Sequence, residues 1–253
     1  MSDVSDWWST AIIDMEPGRI DIRGRPIQDL IGNVSFPQMI WLMLRGDLPN
    51  EGQAKLLEAA LVAAVDHGPQ APSIATARMA VTCGATVNQA MASAVNLLDD
   101  VHGGAGEQAV TLYARIAESG EIEGEVDRWQ AEVSPYIPGF GHRFHKPTDP
   151  RAPRLMALAR EAAAAGIIAG NVVEIAEGVE SLLSLRKGKA IPMNIDGATA
   201  VLHAELGFGA GQARALFCLS RSVGIAAHAL EQVEQGGRNK GPTPPSYRWT
   251  YTG

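Results

Sequence analysis

The sequence predicts a mainly α-helical protein with a small β component, and three observations support this class. Apolar residues recur at three- and four-residue spacings over most of the 253 residues, which is the period of a helix that buries one face. Strict apolar/polar alternation, the period of a strand, is confined to residues 19–27. Glycine and proline interrupt the helical stretches repeatedly and mark the turns between helices.

The elements follow in order along the chain. Residues 19–27 alternate around Gly24 and predict a short β-hairpin. Residues 120–125 are acidic and are expected to be exposed, and residues 133–146 hold prolines, glycines and aromatics that predict an ordered loop. The helical period predicts helices at residues 36–45, 52–65, 73–83, 86–98, 104–119, 153–165, 172–186, 196–206 and 212–235.

Composition excludes several classes of function. With 46% apolar and 19% charged residues the chain is expected to be an ordinary soluble globular protein. Its 21 basic and 28 acidic residues give a net charge of −7, which argues against a nucleic-acid partner. An anionic substrate must therefore be held by local arginines rather than by the overall field.

Location follows from similar evidence. No stretch approaches the ~20 apolar residues of a membrane span, and no signal peptide is expected. The two cysteines, Cys83 and Cys218, are too few for a disulfide framework. A reducing cytoplasm is expected, with both thiols buried.

Three stretches place a group that can move a proton beside glycine. They are residues 101–105 with His102, residues 138–143 with His142, and residues 193–197 with Asp196. Glycine permits close approach of a ligand to the backbone. Together with an arginine nine residues after His142, the three stretches predict an acid/base site that binds a small anionic substrate.

Each candidate also has an ordinary structural interpretation. Asp196 stands at the start of a predicted helix, where a carboxylate can act as N-cap with a lowered pKa. Arg221 lies on a mostly apolar helix face and could form an internal ion pair. Arg151 and Arg238 could be solvated surface charges. The joint occurrence of three proton-moving groups nevertheless favours the acid/base site.

Other histidines and motifs carry less information. His203 and His228 fall in mid-helix and are expected to be ordinary core or surface imidazoles. No P-loop, dinucleotide-binding glycine pattern or nucleophile elbow is present. A metal site of His67, His102 and His142 is disfavoured, because the sequence lacks the spacings of histidine metal ligands.

The order of several motifs resembles that of the citrate synthase superfamily, and especially its short citryl-CoA lyase-like branch. Single motifs would be weak, but their order and spacing together are specific. The chain is shorter than full synthases, and its Asn-Ile-Asp-Gly is more lyase-like. The matching segments are residues 23–30, 42–49, 66–68 with Ser73 and 77–78, 102–105, 138–143, 149–151, 194–196 and 220–224.

The resemblance implies a citrate synthase-like two-domain helical fold that forms a homodimer. Residues 1–103 and 208–253 would form a large domain and residues 104–207 a small one, with the site in the cleft between them. The tail would reach the partner subunit and supply Arg238 across the interface.

The resemblance also implies a role for each candidate residue. Asp196 would remove an α-proton from an acetyl thioester, His102 would donate to the enolate oxygen, and His142 would act as acid on the keto group of oxaloacetate. The groups that would bind the oxaloacetate or citrate portion are His67, Arg151, Arg221 and Arg238. Coenzyme A would be contacted by Lys146, Gly139 and Gly141. No tightly bound cofactor is implied, because the coenzyme A thioester is the substrate.

Three functions stay open from the sequence. The first is a lyase that cleaves citryl-CoA, or a related acyl-CoA, to acetyl-CoA and oxaloacetate. The second is a citrate synthase, which condenses the same pair and hydrolyses the thioester; both use one enolate, so sequence chemistry does not separate them. The third is a catalytically silent protein that binds citrate or coenzyme A, which fold alone does not exclude.

Overall fold

The computed structural model of the chain describes residues 7–142 and 148–253. The chain divides into two compact units, Met1–Glu58 and Ala59–Gly253. Both of the predicted domains, 1–103 with 208–253 and 104–207, extend into the second unit, and their boundary stays a prediction.

The first unit begins with a small antiparallel sheet. Its strands are β1 (Ile13–Glu16), β2 (Arg19–Ile22) and β3 (Arg25–Pro26), paired in that order. Two glycines, Gly18 and Gly24, make the tight turns between them. The predicted hairpin at residues 19–27 is therefore confirmed, and β1 is a further strand that the sequence analysis did not predict.

Two helices follow in the first unit, α1 (Ile27–Leu30) and α2 (Phe36–Arg45). Ser35 caps α2 in a capping box, and Gly46 ends it in the left-handed conformation. A cavity of about 350 Å³ in this unit has no ionisable side chain in its lining, so it offers no acid or base. Ile22, Leu30 and Leu42 form one buried hydrophobic cluster of the unit.

Among the described residues of the second unit the regular elements are helices, and they confirm the mainly α class. The predicted helices are present with ends shifted by at most three residues. The helices are α3 (Glu51–Ala64, which contains the boundary between the units), α4 (Pro72–Thr82), α5 (Val87–Val95), α6 (Ala105–Ser119), α7 (Ile122–Glu132), α8 (Arg151–Ala164), α9 (Asn171–Lys187), α10 (Ile195–Glu205) and α11 (Ala210–Gln235).

Helix α7 was not predicted, and the expectation that residues 120–125 are exposed is wrong for Glu125. This carboxylate is buried, and Arg128 donates to it at 2.6 Å. The next residue, Val126, packs with Trp129 into the core. The many acidic residues of this segment obscured its helical pattern. Val126 and Trp129 are three residues apart and therefore share one helix face.

Two helices, α10 and α11, each pack against three other helices of the second unit. Helix α11 packs against α4, α5 and α6, whereas α10 packs against α6, α8 and α9. The core between α4, α5 and α11 is rich in alanine, which allows the helices to pack closely. Its fully buried alanines are Ala77, Ala90, Ala94 and Ala229.

Two further expectations concern the surface. Cys218 is partly buried but Cys83 is exposed, so the prediction that both thiols are buried is wrong for Cys83. It is the C-cap residue of α4. Within residues 7–142 and 148–253, no helix is long and apolar enough to cross a membrane.

Candidate active site

A single cavity in the second unit is lined by five of the residues that were predicted to act on substrate. Its volume is about 440 Å³. The side chains come from the loops after α3, before α6 and before α8, from the start of α10 and from the middle of α11. The ionisable residues of the lining are His67, His102, His142, Asp196 and Arg221. The structure thus brings the three predicted proton-moving groups together.

Asp196 lies in the first turn of α10 but does not cap it. The N-cap is Asn194, whose side-chain oxygen accepts from the backbone N–H groups of Asp196 at 2.9 Å and Gly197 at 3.2 Å. The N-cap interpretation of Asp196 is therefore wrong. Within the described residues no hydrogen bond is made to its carboxylate, which lines the cavity instead.

Asn194 also joins the start of α10 to the loop that carries His142. Its backbone N–H donates to the carbonyl of Gly139 at 2.9 Å, and its side-chain amide donates to the carbonyl of Gly141 at 2.7 Å. A Cβ atom on Gly139 would lie 2.6 Å from the Cα of Gly197. Gly139 and Gly197 therefore allow two chain segments to pack closely, and His142 and Asp196 line the same cavity.

The environment of Asp196 keeps its proton bound more tightly than usual. Burial raises the pKa of this carboxyl, because the charged form loses solvation. The charges of Arg221 and Arg151 act in the opposite direction, and Asp149 adds to the rise. The net pKa is raised, which suits a group that must both release and return a proton near neutral pH.

His102 is held as a neutral imidazole by Ser73. The backbone N–H of Ser73 donates to Nε2 of the ring at 3.2 Å, and the Ser73 hydroxyl lies 2.9 Å from the same atom. Because a backbone N–H can only donate, Nε2 accepts and the ring proton sits on Nδ1. Burial and the charge of Arg221 lower the pKa of His102, which favours the same neutral form. Nδ1–H is thus the available donor.

His67 and His142 form a pair on the wall of the cavity. Their ring centroids are 5.7 Å apart, with the planes inclined by 64° in an edge-to-face arrangement. Both rings line the cavity. Two imidazoles at this separation can contact one small substrate, one as a proton donor or acceptor and the other as a hydrogen-bond donor.

Arg221 is a buried cation that is held without a carboxylate partner. Only 5% of the residue is exposed. Its Nε donates to the carbonyl of Ala64 at 3.1 Å, and its guanidinium lies 4.9 Å from the ring centroid of Phe217. No carboxylate among the described residues is within ion-pair distance of it, which contradicts the internal ion pair considered from the sequence. Burial lowers the pKa of Arg221, opposed by Asp196 and Asp66.

Arg151 stands at the start of α8 and is already paired. Its Nε and Nη2 donate to the two oxygens of Asp149 at 3.0 and 2.8 Å. Asp149 is almost fully buried and also accepts the backbone N–H of Ile195 at 3.3 Å. Arg151 is therefore not a solvated surface charge. It does not line the cavity, although its charge reaches Asp196.

Four other predicted residues lie outside the cavity or outside the described chain. Arg238 lines a separate cavity of about 570 Å³ at the end of α11, and its predicted action on a partner subunit stays a prediction. Gly139 packs closely against Gly197, and the carbonyl of Gly141 accepts a hydrogen bond from Asn194. Neither glycine lines the site cavity. Lys146 lies outside the described residues. The coenzyme A contacts of these last three also stay predictions.

Three residues contribute to the site in ways the sequence analysis missed. Phe217 stacks below Arg221 and could have been found, since residues four apart share a helix face. Ser73 and Asp149 were noticed only as parts of motifs. Their contacts with His102 and Ile195 join positions 29 and 46 residues away, for which a single sequence gives no signal.

With this geometry established, comparison with known proteins identifies the family. The family model described as "Citrate synthase, C-terminal domain" matches residues 49–242. The chain therefore belongs to the citrate synthase family, and the resemblance drawn from its motifs is confirmed.

Two solved structures illustrate the relationship. The chain is similar to citryl-CoA lyase from Hydrogenobacter thermophilus, with 33% identity and a TM-score of 0.88 over 98% of this chain and 95% of that one. It is also similar to citrate synthase from Thermoplasma acidophilum, solved with carboxymethyl coenzyme A and oxaloacetate, with 25% identity and a TM-score of 0.70. That match covers 87% of this chain and 59% of the synthase.

Curated relatives carry the name citrate synthase. The protein from Saccharolobus solfataricus is 29% identical over 205 residues, which are 81% of this chain and 54% of the relative. The protein from Acidithiobacillus ferridurans is 30% identical over 193 residues, 76% of this chain and 50% of the relative. The chain thus spans about half the length of these curated relatives, but nearly the full length of the Hydrogenobacter lyase.

Proposed function

We propose that the chain is a citryl-CoA lyase-like enzyme, which cleaves citryl-CoA or a related acyl-CoA to acetyl-CoA and oxaloacetate. The observation that carries this proposal is the convergence of Asp196, His102 and His142 on one cavity. The near-complete overlap with a citryl-CoA lyase supports the direction of the reaction.

Cleavage requires two proton transfers, one from the hydroxyl group of the citryl portion and one to the carbon that becomes the acetyl methyl group. His142 takes the proton from the hydroxyl group of the citryl portion as the carbon–carbon bond breaks and a keto group forms. The bonding electrons move into the thioester as an enolate. His102 donates through Nδ1–H to the enolate oxygen, and protonated Asp196 gives its proton to the carbon, which yields acetyl-CoA. The raised pKa of Asp196 favours the protonated form that this last step requires.

Positive charge would hold the carboxylates of the substrate. Arg221 is suited to this role because, among the described residues, its buried guanidinium has no carboxylate within ion-pair distance. A planar fork binds a carboxylate through two hydrogen bonds. His67 would assist, Arg151 would add only its charge because its guanidinium is already paired with Asp149, and Arg238 would arrive from the partner subunit of a homodimer. This assembly is part of the proposal, as are the large and small domains predicted from the sequence and a cytoplasmic location.

Coenzyme A enters the proposal as a substrate and not as a resident cofactor. We propose that Lys146, Gly139 and Gly141 lie along its path, as the resemblance to the family implies. The Thermoplasma synthase contains a coenzyme A analogue, which supports a thioester substrate for this chain as well.

A citrate synthase is the second candidate, favoured by the names of the curated relatives. Incubation with acetyl-CoA and oxaloacetate separates the two functions, because a synthase releases free coenzyme A steadily. A lyase instead converts added citryl-CoA to acetyl-CoA and oxaloacetate without releasing free coenzyme A. Binding of citrate without either reaction would leave the silent binding protein and refute the enzymatic proposal.

A further inference from the structure

The turn that presents His67 to the cavity is held by the carboxylate beside it. Oδ2 of Asp66 accepts the backbone N–H of Gly68 at 3.0 Å, which closes a turn around His67. Gly68 has a φ of +80°, in the region that favours glycine. The position of Asp66 therefore fixes the backbone on both sides of His67.

Helix α11 lies directly against this carboxylate. A Cβ atom on Gly224 would be 2.3 Å from the carbonyl oxygen of Val65 and 2.9 Å from Oδ1 of Asp66. Only a glycine at this point of α11 lets the turn approach so closely. Oδ1 of Asp66 is buried and has no well-aligned hydrogen bond among the described residues.

One further turn along α11, His228 faces the same oxygen. Its Nε2 lies 3.2 Å from Oδ1 of Asp66, and its Nδ1 lies 3.2 Å from Nη1 of Arg78. An arginine can only donate, so Nδ1 must accept and the ring proton sits on Nε2, facing Asp66. Arg78 therefore sets the tautomer of His228.

Arg78 is itself fixed by two residues at the end of α11. It donates to Glu231 at 2.5 Å and to Gln235 at 2.6 Å, and its side chain is only 14% exposed. A continuous chain of contacts thus runs from Glu231 through Arg78 and His228 to Asp66. We call these four residues the Asp66 network; none of them lines the site cavity.

We propose that Arg78 and His228 are positioning residues for the substrate site, which act by holding Asp66 and so the orientation of His67. The inference rests on the proposed function in one respect: His67 is taken to bind the citrate or oxaloacetate portion of the substrate. The alternative is that the Asp66 network only ties α4 to α11, with no effect on the cavity.

The first test compares two substitutions of His228 that differ in hydrogen bonding. The amide of His228→Gln can accept from Arg78 and present an N–H to Asp66, as the neutral imidazole does at 3.2 Å, whereas His228→Leu can do neither. Calorimetry with oxaloacetate should give about tenfold weaker binding for the leucine variant, because the buried Oδ1 of Asp66 then faces no polar group. The glutamine variant should remain within about twofold of the native affinity, below the scale of one hydrogen bond.

Arg78→Met should resemble His228→Leu, because it removes the donor that sets the tautomer. Arg186→Met is the matched control, since this arginine of α9 also contacts two side chains, Glu123 and Asp127, but lies outside the network. The control should bind oxaloacetate as the native protein does. Equal losses in Arg78→Met and Arg186→Met would overturn the proposal.

A double-mutant cycle tests whether the network acts through His67. If it does, Arg78→Met should weaken oxaloacetate binding in the native background but have no further effect in a His67→Ala background. Additive losses would show that the network acts elsewhere and would overturn the assignment.

A spectroscopic readout separates this proposal from failure of the proposed function. In protein labelled with ¹⁵N-histidine, the native His228 ring should show the Nε2–H tautomer, and Arg78→Met should shift the ring signals of His67 while leaving buried His203 unchanged. Unmoved His67 signals would overturn the proposal. Shifted signals in a protein that binds neither oxaloacetate nor citrate would support the positioning role and refute only the proposed substrate.

Discussion

Arg151 and Arg221 both lower the pKa of Asp196, yet their surroundings differ in one decisive respect. At the start of α8, Arg151 is forked onto the buried carboxylate of Asp149. In the middle of α11, Arg221 is buried beside Phe217 and a backbone carbonyl, with no carboxylate within ion-pair distance among the described residues.

The difference indicates that Arg151 serves the fold through its ion pair, whereas Arg221 is suited to bind an anion. Burying an unpaired charge costs several kcal/mol, whereas a pair with good hydrogen bonds offsets much of that cost. The guanidinium of Arg151 is already paired with Asp149. Arg221 keeps its attraction for an anion, and the cavity gives that anion access.

The largest expected effect comes from replacing Asp196, the carboxyl group whose pKa both arginines lower. Asp196→Asn should reduce citryl-CoA cleavage by about 10²–10⁴-fold, the usual contribution of a general acid or base. The melting temperature should not fall, because the carboxylate is not the cap of α10. Asp127→Asn, on the exposed face of α7, is the control. A near-native rate for Asp196→Asn would refute its role as the proton donor and acceptor.

Breaking the paired arginine should mainly affect stability. Arg151→Met leaves the buried Asp149 carboxylate without its partner, which is expected to cost about 3–5 kcal/mol in the free energy of unfolding. Urea denaturation measures this change. Adding Asp149→Asn removes the stranded charge and should recover most of the loss. If Arg151→Met is as stable as the native protein, the pair is not structural.

Breaking the unpaired arginine should mainly affect binding. Arg221→Met is expected to weaken oxaloacetate binding by about 10–100-fold, which corresponds to losing one or two charge-assisted hydrogen bonds. Its free energy of unfolding should not fall, because no buried carboxylate loses an ion pair and the cost of burying the guanidinium is removed. Arg221→Lys should recover only part of the affinity, since an ammonium lacks the planar fork. Unchanged calorimetric affinity in Arg221→Met would make this arginine structural.

The smallest effect concerns pH. The folded protein holds the Asp196 proton to a higher pH than the unfolded chain, because burial raises its pKa. This group therefore favours the folded state at low pH, and its contribution is lost as the pH rises from the ordinary aspartate range through the folded pKa. Relative to Asp196→Asn, the native free energy of unfolding should fall over that range. Parallel curves in chemical denaturation at several pH values would contradict the raised pKa.

The same experiment can rank the two arginines. Arg221 lowers the pKa of Asp196 more than Arg151 does. Arg221→Met should therefore enlarge the fall in the free energy of unfolding with rising pH more than Arg151→Met does. The comparison uses each variant with and without Asp196→Asn. A larger change in Arg151→Met would reverse the order of the two charges.

The helical class was predictable because its determinants are local. The 3.6-residue period and the glycine stops of helices such as α2 lie within a few residues of each element. Helix α7 was not predicted, because its surface is strongly acidic and only a few apolar residues mark its buried face. Strand β1 was not predicted. Its four residues are all exposed, so they do not alternate between buried and exposed positions.

The residues of the site could be predicted from the sequence, but their hydrogen-bond partners could not. His102, His142 and Asp196 stood out because a proton-moving side chain beside glycine recurs three times. The competing interpretation of Asp196 could not be rejected from the sequence, because Asn194 and Asp196 are both good N-caps. Only the backbone geometry of α10 assigns the cap to Asn194. The partners of His102 and Arg221 depend on tertiary contacts between distant segments.

The contact between Gly139 and Gly197 has a consequence for how this protein can vary. A methyl group on either residue would collide with the backbone of the other segment, so a library that randomises both positions should return glycine at each. The distance between the loop that carries His142 and the start of α10 is thus set by main-chain contact, and substitutions of the surrounding side chains should not change it. If the proposed function holds, altered substrate preference would come from other walls of the cavity.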